Sequence, residues 1–157
     1  MDATDRRIIA TLQEQGRITN VELARMNDLA PSSMLERVRR LEEKGIISGY
    51  RAILDPKKLG YTIEALVMII LDRHQETGIE DFEAGVAGVP EVKACFHVAG
   101  QYDYILHLTV RDIEHLGGLV KHKLSSLGGV EKVETFLVLS TVKDDRGYSL
   151  KPLFPEE

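Results

Sequence analysis

Cysteine occurs once in the 157 residues, at Cys95, so no disulfide can close within the chain. That fits a reducing compartment. Long apolar runs are missing too: the longest, residues 65–71, falls far short of the roughly 20 residues a membrane span needs. The polar start Met1-Asp2-Ala3-Thr4-Asp5 lacks the charged-then-apolar pattern of a secretory signal. The expectation is a cytoplasmic protein with no membrane partner. There is no low-complexity segment, nucleophile elbow, phosphate-binding loop or metal-protease motif, so no catalytic residue is assigned and no enzyme is expected. Five histidines are present, but no His/Cys/Asp/Glu group has structural-zinc spacing. They read as surface or interface histidines, with neither metal nor cofactor implied.

What is present is an ordinary globular balance, 43% apolar and 29% charged, with a net charge of −5. The charge is uneven. Residues 1–61 carry 11 Lys+Arg against 9 Asp+Glu, and residues 62–157 carry 9 against 16. A mildly basic front on an acidic body predicts that one end alone approaches a polyanion.

The front reads as three short helices. Residues 4–16 form the first, with Thr4 as cap, Asp5 at the positive end, Ile8, Ile9 and Leu12 inward, and Gly16 as stop. Thr19 and Glu22 have capping-box spacing and open the second, with Val21 and Ala24 inward and Asn27-Asp28 at its end. Pro31 opens the third, which runs to Lys44 and stops at Gly45. Its core side is read as Leu35, Val38 and Leu41, and its outer side as Ser33, Glu36, Arg37 and Arg40. Such a helix suits the major groove, with arginine on guanine or phosphate, serine on phosphate or a base edge, and Arg25 and Arg39 adding phosphate contacts. On pattern alone, a small helical bundle with a solvated charged face fits equally well. Ile46-Ile47 and residues 50–54 read as short extended pieces, followed by the turn Asp55-Pro56-Lys57-Lys58.

The remainder alternates strand and helix signals. These are a strand over 62–71, a helix carrying Ile79, Phe82 and Val86, strands over 92–98 and 104–110, a helical stripe Ile113-Leu116-Val120-Leu124-Leu127, and a last strand over 133–142. The order βαββαβ is the ferredoxin-like split arrangement. The fold class is therefore α+β: a three-helix, winged-type helix-turn-helix over 1–56, a ferredoxin-like domain over 57–143, and a tail over 144–157. Val92, Ala94, Phe96 and Val98 are expected to lie under the helices with Tyr104, Leu106, Leu108 and Val110. Lys93, Cys95 and His97 would share the other face with Ile105, His107 and Thr109, a mixed face expected to pack on a partner. The hairpin Gly100-Gln101-Tyr102-Asp103-Tyr104 offers loop amides for a carboxylate, a glycine free to take positive φ, and Asp103 for an ammonium group. By itself it reads more readily as a plain turn, with Asp103 bonded to its own backbone.

Several stretches together resemble the Lrp/AsnC (feast/famine) transcription regulators. They are Asp5-Arg6-Arg7-Ile8-Ile9 with Leu12, Arg17-Ile18-Thr19, Glu22-Leu23-Ala24, and above all the run from Arg37-Val38-Arg39-Arg40-Leu41-Glu42 through Gly45-Ile46-Ile47 to Gly49-Tyr50. Leu54-Asp55-Pro56, Leu59-Gly60, the hairpin and residues 129–135 extend the likeness to about Val142. The resemblance implies a DNA-binding regulator of double-stranded DNA. Ser32, Ser33, Arg37 and Arg40 match the recognition helix. Where the family usually has serine, this chain has Ala30. An amino-acid-like effector is implied between sensor domains, at the hairpin with Thr135 and residues of a partner subunit. A homodimer joined through its sheets is also implied, with a ring of four dimers left open. The alternative is a nucleoid-style architectural protein with no specific effector.

Overall fold

The computed structural model describes residues 1–72, 78–145 and 147–150. It divides into two compact units, Met1–Ile53 with the segment from Lys143, and Leu54–Val142. The tail expected over 144–157 lies outside the described residues at 146 and from 151 on.

The first unit holds α1 (Ala3–Glu14), α2 (Asn20–Met26) and α3 (Pro31–Glu43). Asp2, not Thr4, caps α1. Its carboxylate accepts the Asp5 N–H at 2.8 Å and the Asp5 carboxylate accepts the Asp2 N–H at 3.2 Å, a reciprocal box that starts the helix one residue earlier. The helix ends at Glu14, short of Gly16. The Thr19/Glu22 box opens α2 as expected. Asp28, at φ 53°, ends it in a Schellman turn, with the Leu29 N–H reaching the Ala24 carbonyl at 3.0 Å. Gly45, at φ +67°, ends α3 the same way.

Ile8, Leu23, Ala24, Met34 and Leu41 form the small core, flanked by Ile9, Leu12, Ile18, Leu29, Val38 and Ile47. Two inward assignments change. Val21 is exposed, and Leu23 faces in beside Ala24. On α3 the core-facing stripe is Met34-Val38-Leu41, an i, i+4, i+7 set with Val38 half-buried, which turns Leu35 out to 49% exposure. Residues 46–47 and 50–54 form no strand. The segment from Lys143 returns to α1. The Tyr148 N–H donates to the Gln13 side-chain oxygen at 2.6 Å, and the Gln13 amide donates to the Tyr148 carbonyl at 3.1 Å.

The second unit is β1 (Ile63–Leu71), α4 (Gly78–Ala87), β2 (Val92–His97), β3 (Tyr104–Val110), α5 (Ile113–His122) and β4 (Val130–Leu137). The antiparallel sheet runs β2-β3-β1-β4, the ferredoxin-like order. Phe82 and Val86 of α4, Leu116 and Leu119 of α5, and Leu124 bury one face of the sheet. On that face lie Ala65, Val67, Ile69 and Leu71 of β1 with Tyr104, Leu106 and Leu108 of β3. Burying a side chain such as Phe82 contributes about 1.5–3 kcal/mol. Gly129, at φ +74°, lets the β4 entry pass α4: a Cβ there would stand 2.8 Å from Gly78 Cα.

The last strand begins three residues before the expected 133 and ends at Leu137. A larger correction concerns β2. Val92 pairs with Leu108, but Ala94 pairs with His107. One extra residue, Lys93, is taken up in a bulge, and a one-residue slip exchanges the two faces. Cys95 and His97 therefore share the helix-covered face with Leu106 and Tyr104, while Ala94 and Phe96 share the open face with His107 and Ile105.

Candidate DNA-binding face and effector hairpin

With Met34 and Leu41 buried and Val38 half-buried, the side of α3 facing away from the core carries Ser32, Glu36, Arg39 and Arg40, bordered by Ser33 and Leu35, and all six are exposed. Arg37 stands elsewhere. Its guanidinium lies 2.7 Å from Asp2 and 2.8 Å from Asp5, and Arg40 reaches Asp5 at 3.5 Å. The Asp5 side chain is only 5% exposed, so this carboxylate is compensated by two α3 arginines and the α1 cap. The Asp5 N–H and then Arg37 hold the Asp2 carboxyl down at about 2. Hydrogen bonds to Asp2 and then Asp5 push the Arg37 guanidinium upward. Arg37, read from the sequence as outward, is thus committed to α1. Arg39 has no side-chain partner among the described residues. Arg25, exposed on α2, rims a shallow concavity with Gln15, Arg17, Ile18, Glu22 and Met26.

In the second unit the structure brings Gly100, Gln101, Tyr102 and Asp103 together at the β2–β3 turn. Gly100 does not use positive φ. Asp103 is bonded across the sheet edge: its carboxylate accepts the Leu71 N–H at 2.8 Å, and its own N–H donates to the Ile69 carbonyl at 2.9 Å. It therefore clamps the end of β1. Tyr102 donates to Glu134 at 2.7 Å, and Lys132 pairs with the same carboxylate. Hydrogen bonding to Lys132 and then Tyr102 lowers the Glu134 carboxyl. Tyr104, expected in the effector site, is core: it is 2% exposed, stacks on His97 at 4.6 Å and donates to Glu83 at 2.7 Å. Its burial comes from the alternation that puts Leu106 and Leu108 inward. Thr135 pairs with Val67, and so faces opposite to Glu134 and Tyr102.

The open sheet face carries Leu66, Met68 and Ile70 of β1, Ala94 and Phe96 of β2, Ile105 of β3 and Phe136 of β4, and no helix among the described residues of this unit packs on it. Phe96 and Phe136 stand 55% and 49% exposed. Glu64 and His107 are hydrogen-bonded to each other on this surface.

Residues 1–48 match the model of a winged helix-turn-helix DNA-binding domain, and residues 64–148 match that of the Lrp/AsnC ligand binding domain. The chain belongs to the Lrp/AsnC family of transcriptional regulators. It is 38% identical over 151 residues to the leucine-responsive regulatory protein of Escherichia coli, covering 96% of this chain and 92% of that one. A transcriptional regulator of Neisseria meningitidis, solved as a complex with L-Met, superposes with a TM-score of 0.93 at 35% identity, over 98% of this chain and 99% of that one. AsnC of Escherichia coli gives a TM-score of 0.84 at 26% identity, over 92% and 95%. As in the Lrp/AsnC family generally, the chain joins a DNA-binding unit to a ligand-binding unit and is a regulator, not an enzyme. Among the described residues no helix is long and apolar enough to cross a membrane.

Sequence reasoning missed Asp2 and Asp5 as partners of α3. A signal was present in the cap spacing of Asp2 and Asp5, but nothing local linked them to a helix some thirty residues on.

Proposed function

We propose that this chain is a cytoplasmic regulator that binds double-stranded DNA through α3 and changes its assembly or operator affinity when an apolar amino acid binds its second unit. The observation that carries the DNA half is the outward side of α3, where Ser32, Ser33 and Arg39 have no side-chain partners among the described residues. Arg25 and Arg40 add phosphate contacts. Arg37 acts through α1, as a positioning group that sets where α3 stands.

The open sheet face favours a homodimer. An apolar surface holding two half-exposed phenylalanines is costly in water, and a second copy of the same sheet covers it by symmetry. Two helix-turn-helix units then reach half-sites about one DNA turn apart. Effector binding at Gly100, Gln101, Tyr102, Asp103 and Thr135 draws its support from the turn's backbone and from the relative solved with L-Met. The placement of Thr135 on the face of β4 opposite Glu134, the partner of Tyr102, fits a site shared between subunits.

The test is a thermal-shift series with L-Leu, L-Met, L-Lys and L-Asp, followed by footprinting. A ligand at a hundred times its dissociation constant adds about 2.7 kcal/mol. Stabilisation by L-Leu or L-Met, lost in Gln101→Ala, is expected, with a changed footprint on ligand addition. Gln101 is the better probe, because Asp103→Ala also unties β1. Unchanged stability and footprint with every amino acid would favour an architectural protein instead.

A further inference from the structure

We infer that α3 reads base edges with the stripe Ser32-Leu35-Glu36-Arg39, so that Leu35 and Glu36 determine sequence specificity while Arg37 touches no base. This rests on the DNA-binding reading above and adds the residues that select the sequence.

A helix lying in the major groove meets the bases with the side that faces away from its own domain. On α3 that side is set by Met34 and Leu41, which are buried, and Val38, which is half-buried against them. At 100° per residue the opposite side carries residues 32, 36, 39, 40 and 43, with Ser33 and the exposed Leu35 at its two borders; Arg40 is drawn to Asp5 and Glu43 lies in the last turn, which leaves Ser32, Leu35, Glu36 and Arg39 as an i, i+3, i+4, i+7 stripe. Base contacts in this motif come mainly from the first turns of the recognition helix, where Ser32, Leu35 and Glu36 sit. Each has a distinct chemical reach. Leu35 is the one apolar side chain on the stripe, and its natural mate in the groove is the thymine methyl. A carboxylate accepts from the cytosine amino group and is repelled by phosphate, so Glu36 gains from the correct base and penalises a displaced register. Neither Leu35 nor Glu36 has a side-chain bond within the described residues, so both are free for a ligand. Arg39 reaches guanine or a phosphate from the last member of the stripe. Arg37, on the other side of the helix from the stripe and held at 2.7 and 2.8 Å by two carboxylates, would have to give up both to reach DNA.

The probe is a duplex selected from a random library by the full-length wild-type protein. Replacing its thymines with uracil removes the methyl and nothing else. At one thymine per half-site the wild type is expected to lose at least about threefold in affinity, and Leu35→Ala to show no such loss. Selection with Glu36→Gln is expected to replace cytosine by adenine on the contacted strand at one position per half-site. Leu35 and Glu36 are exposed, so the variants should keep the wild-type circular dichroism. The same consensus from all three proteins, with equal uracil sensitivity, would overturn the inference. So would Leu35→Ala changing the oligomeric state while leaving the consensus intact, since Leu35 would then be an assembly contact. Failure of the underlying reading looks different: the wild type would enrich no duplex at all.

Discussion

Helix α3 lacks a side-chain cap, and filling that gap tests both its stability and its place on DNA. Ala30 is the N-cap, at φ −66° and ψ 143°, and its carbonyl already takes the Met34 N–H at 3.0 Å. Pro31 has no N–H to satisfy, so the open donors of the first turn are those of Ser32 and Ser33. The backbone is already in the conformation a serine or aspartate cap adopts, and Ala30 is exposed, so no packing is lost on substitution. Ala30→Ser should therefore gain about 1 kcal/mol. In a domain of this size that raises the unfolding temperature by roughly 4–8 °C. Ala30→Asp should gain a further ~0.3–1 kcal/mol from the helix dipole. On DNA the two should diverge. Serine is neutral and should hold or raise affinity, whereas aspartate brings a negative charge to the helix end that approaches phosphate and should weaken binding, most at low salt. Calorimetry on the full chain, following the transition of the helical unit, and a salt titration of binding give both readouts. A gain from Ala30→Ser under about 0.3 kcal/mol would refute the cap assignment. Equal DNA affinity for serine and aspartate at low salt would refute the placement of this helix end against phosphate.

Three further outcomes follow from the same geometry. Because the folded Asp2 carboxyl sits at about 2 against an ordinary 3.8, its contribution is complete above pH 3.8 and is lost as pH falls through about 2; Asp2→Asn keeps the cap, so its acid-unfolding curve should lack the wild-type loss in that window. Phe82 is fully buried between α4 and the sheet, beside Tyr104 at 4.6 Å, and Phe82→Ala should cost about 3–5 kcal/mol by urea unfolding. Gly117 and Gly118 lie inside α5 with nothing within 4 Å of an added Cβ, so Gly118→Ala should stabilise by up to about 1 kcal/mol by thermal unfolding, and destabilisation would refute the openness of that helix face.

Much of the fold was legible because its signals are local. The Thr19/Glu22 box, the stop at Gly45 and the strand Tyr104–Val110 each depend on residues within a few positions of one another. What failed was parity and phase. A single bulge at Lys93 reversed the faces of β2, and alternation in the sequence has no mark that says where a residue will be skipped. On α3, Met34 and Leu35 are adjacent and both apolar, so the buried stripe could begin at either. The choice of Met34 moved Arg37 off the outward side and brought Leu35, 49% exposed, to its border.

The candidate sites divide along the same line. That one end of an acidic chain would present arginines and serines on a helix, and that a glycine-led turn would join two strands, followed from residue order alone, because propensity, capping and periodicity act over a turn or two. Three other features depended on residues brought together from far apart in the chain: the pairing of Arg37 with Asp2 and Asp5, the burial of Tyr104 under Phe82, and the clamp of Asp103 on Leu71. These were left to the tertiary structure. A charge or hydroxyl that looks free in the sequence is free only if the fold brings it no partner, and among the described residues the fold supplied partners for Arg37, Asp103 and Tyr104 but none for Arg39.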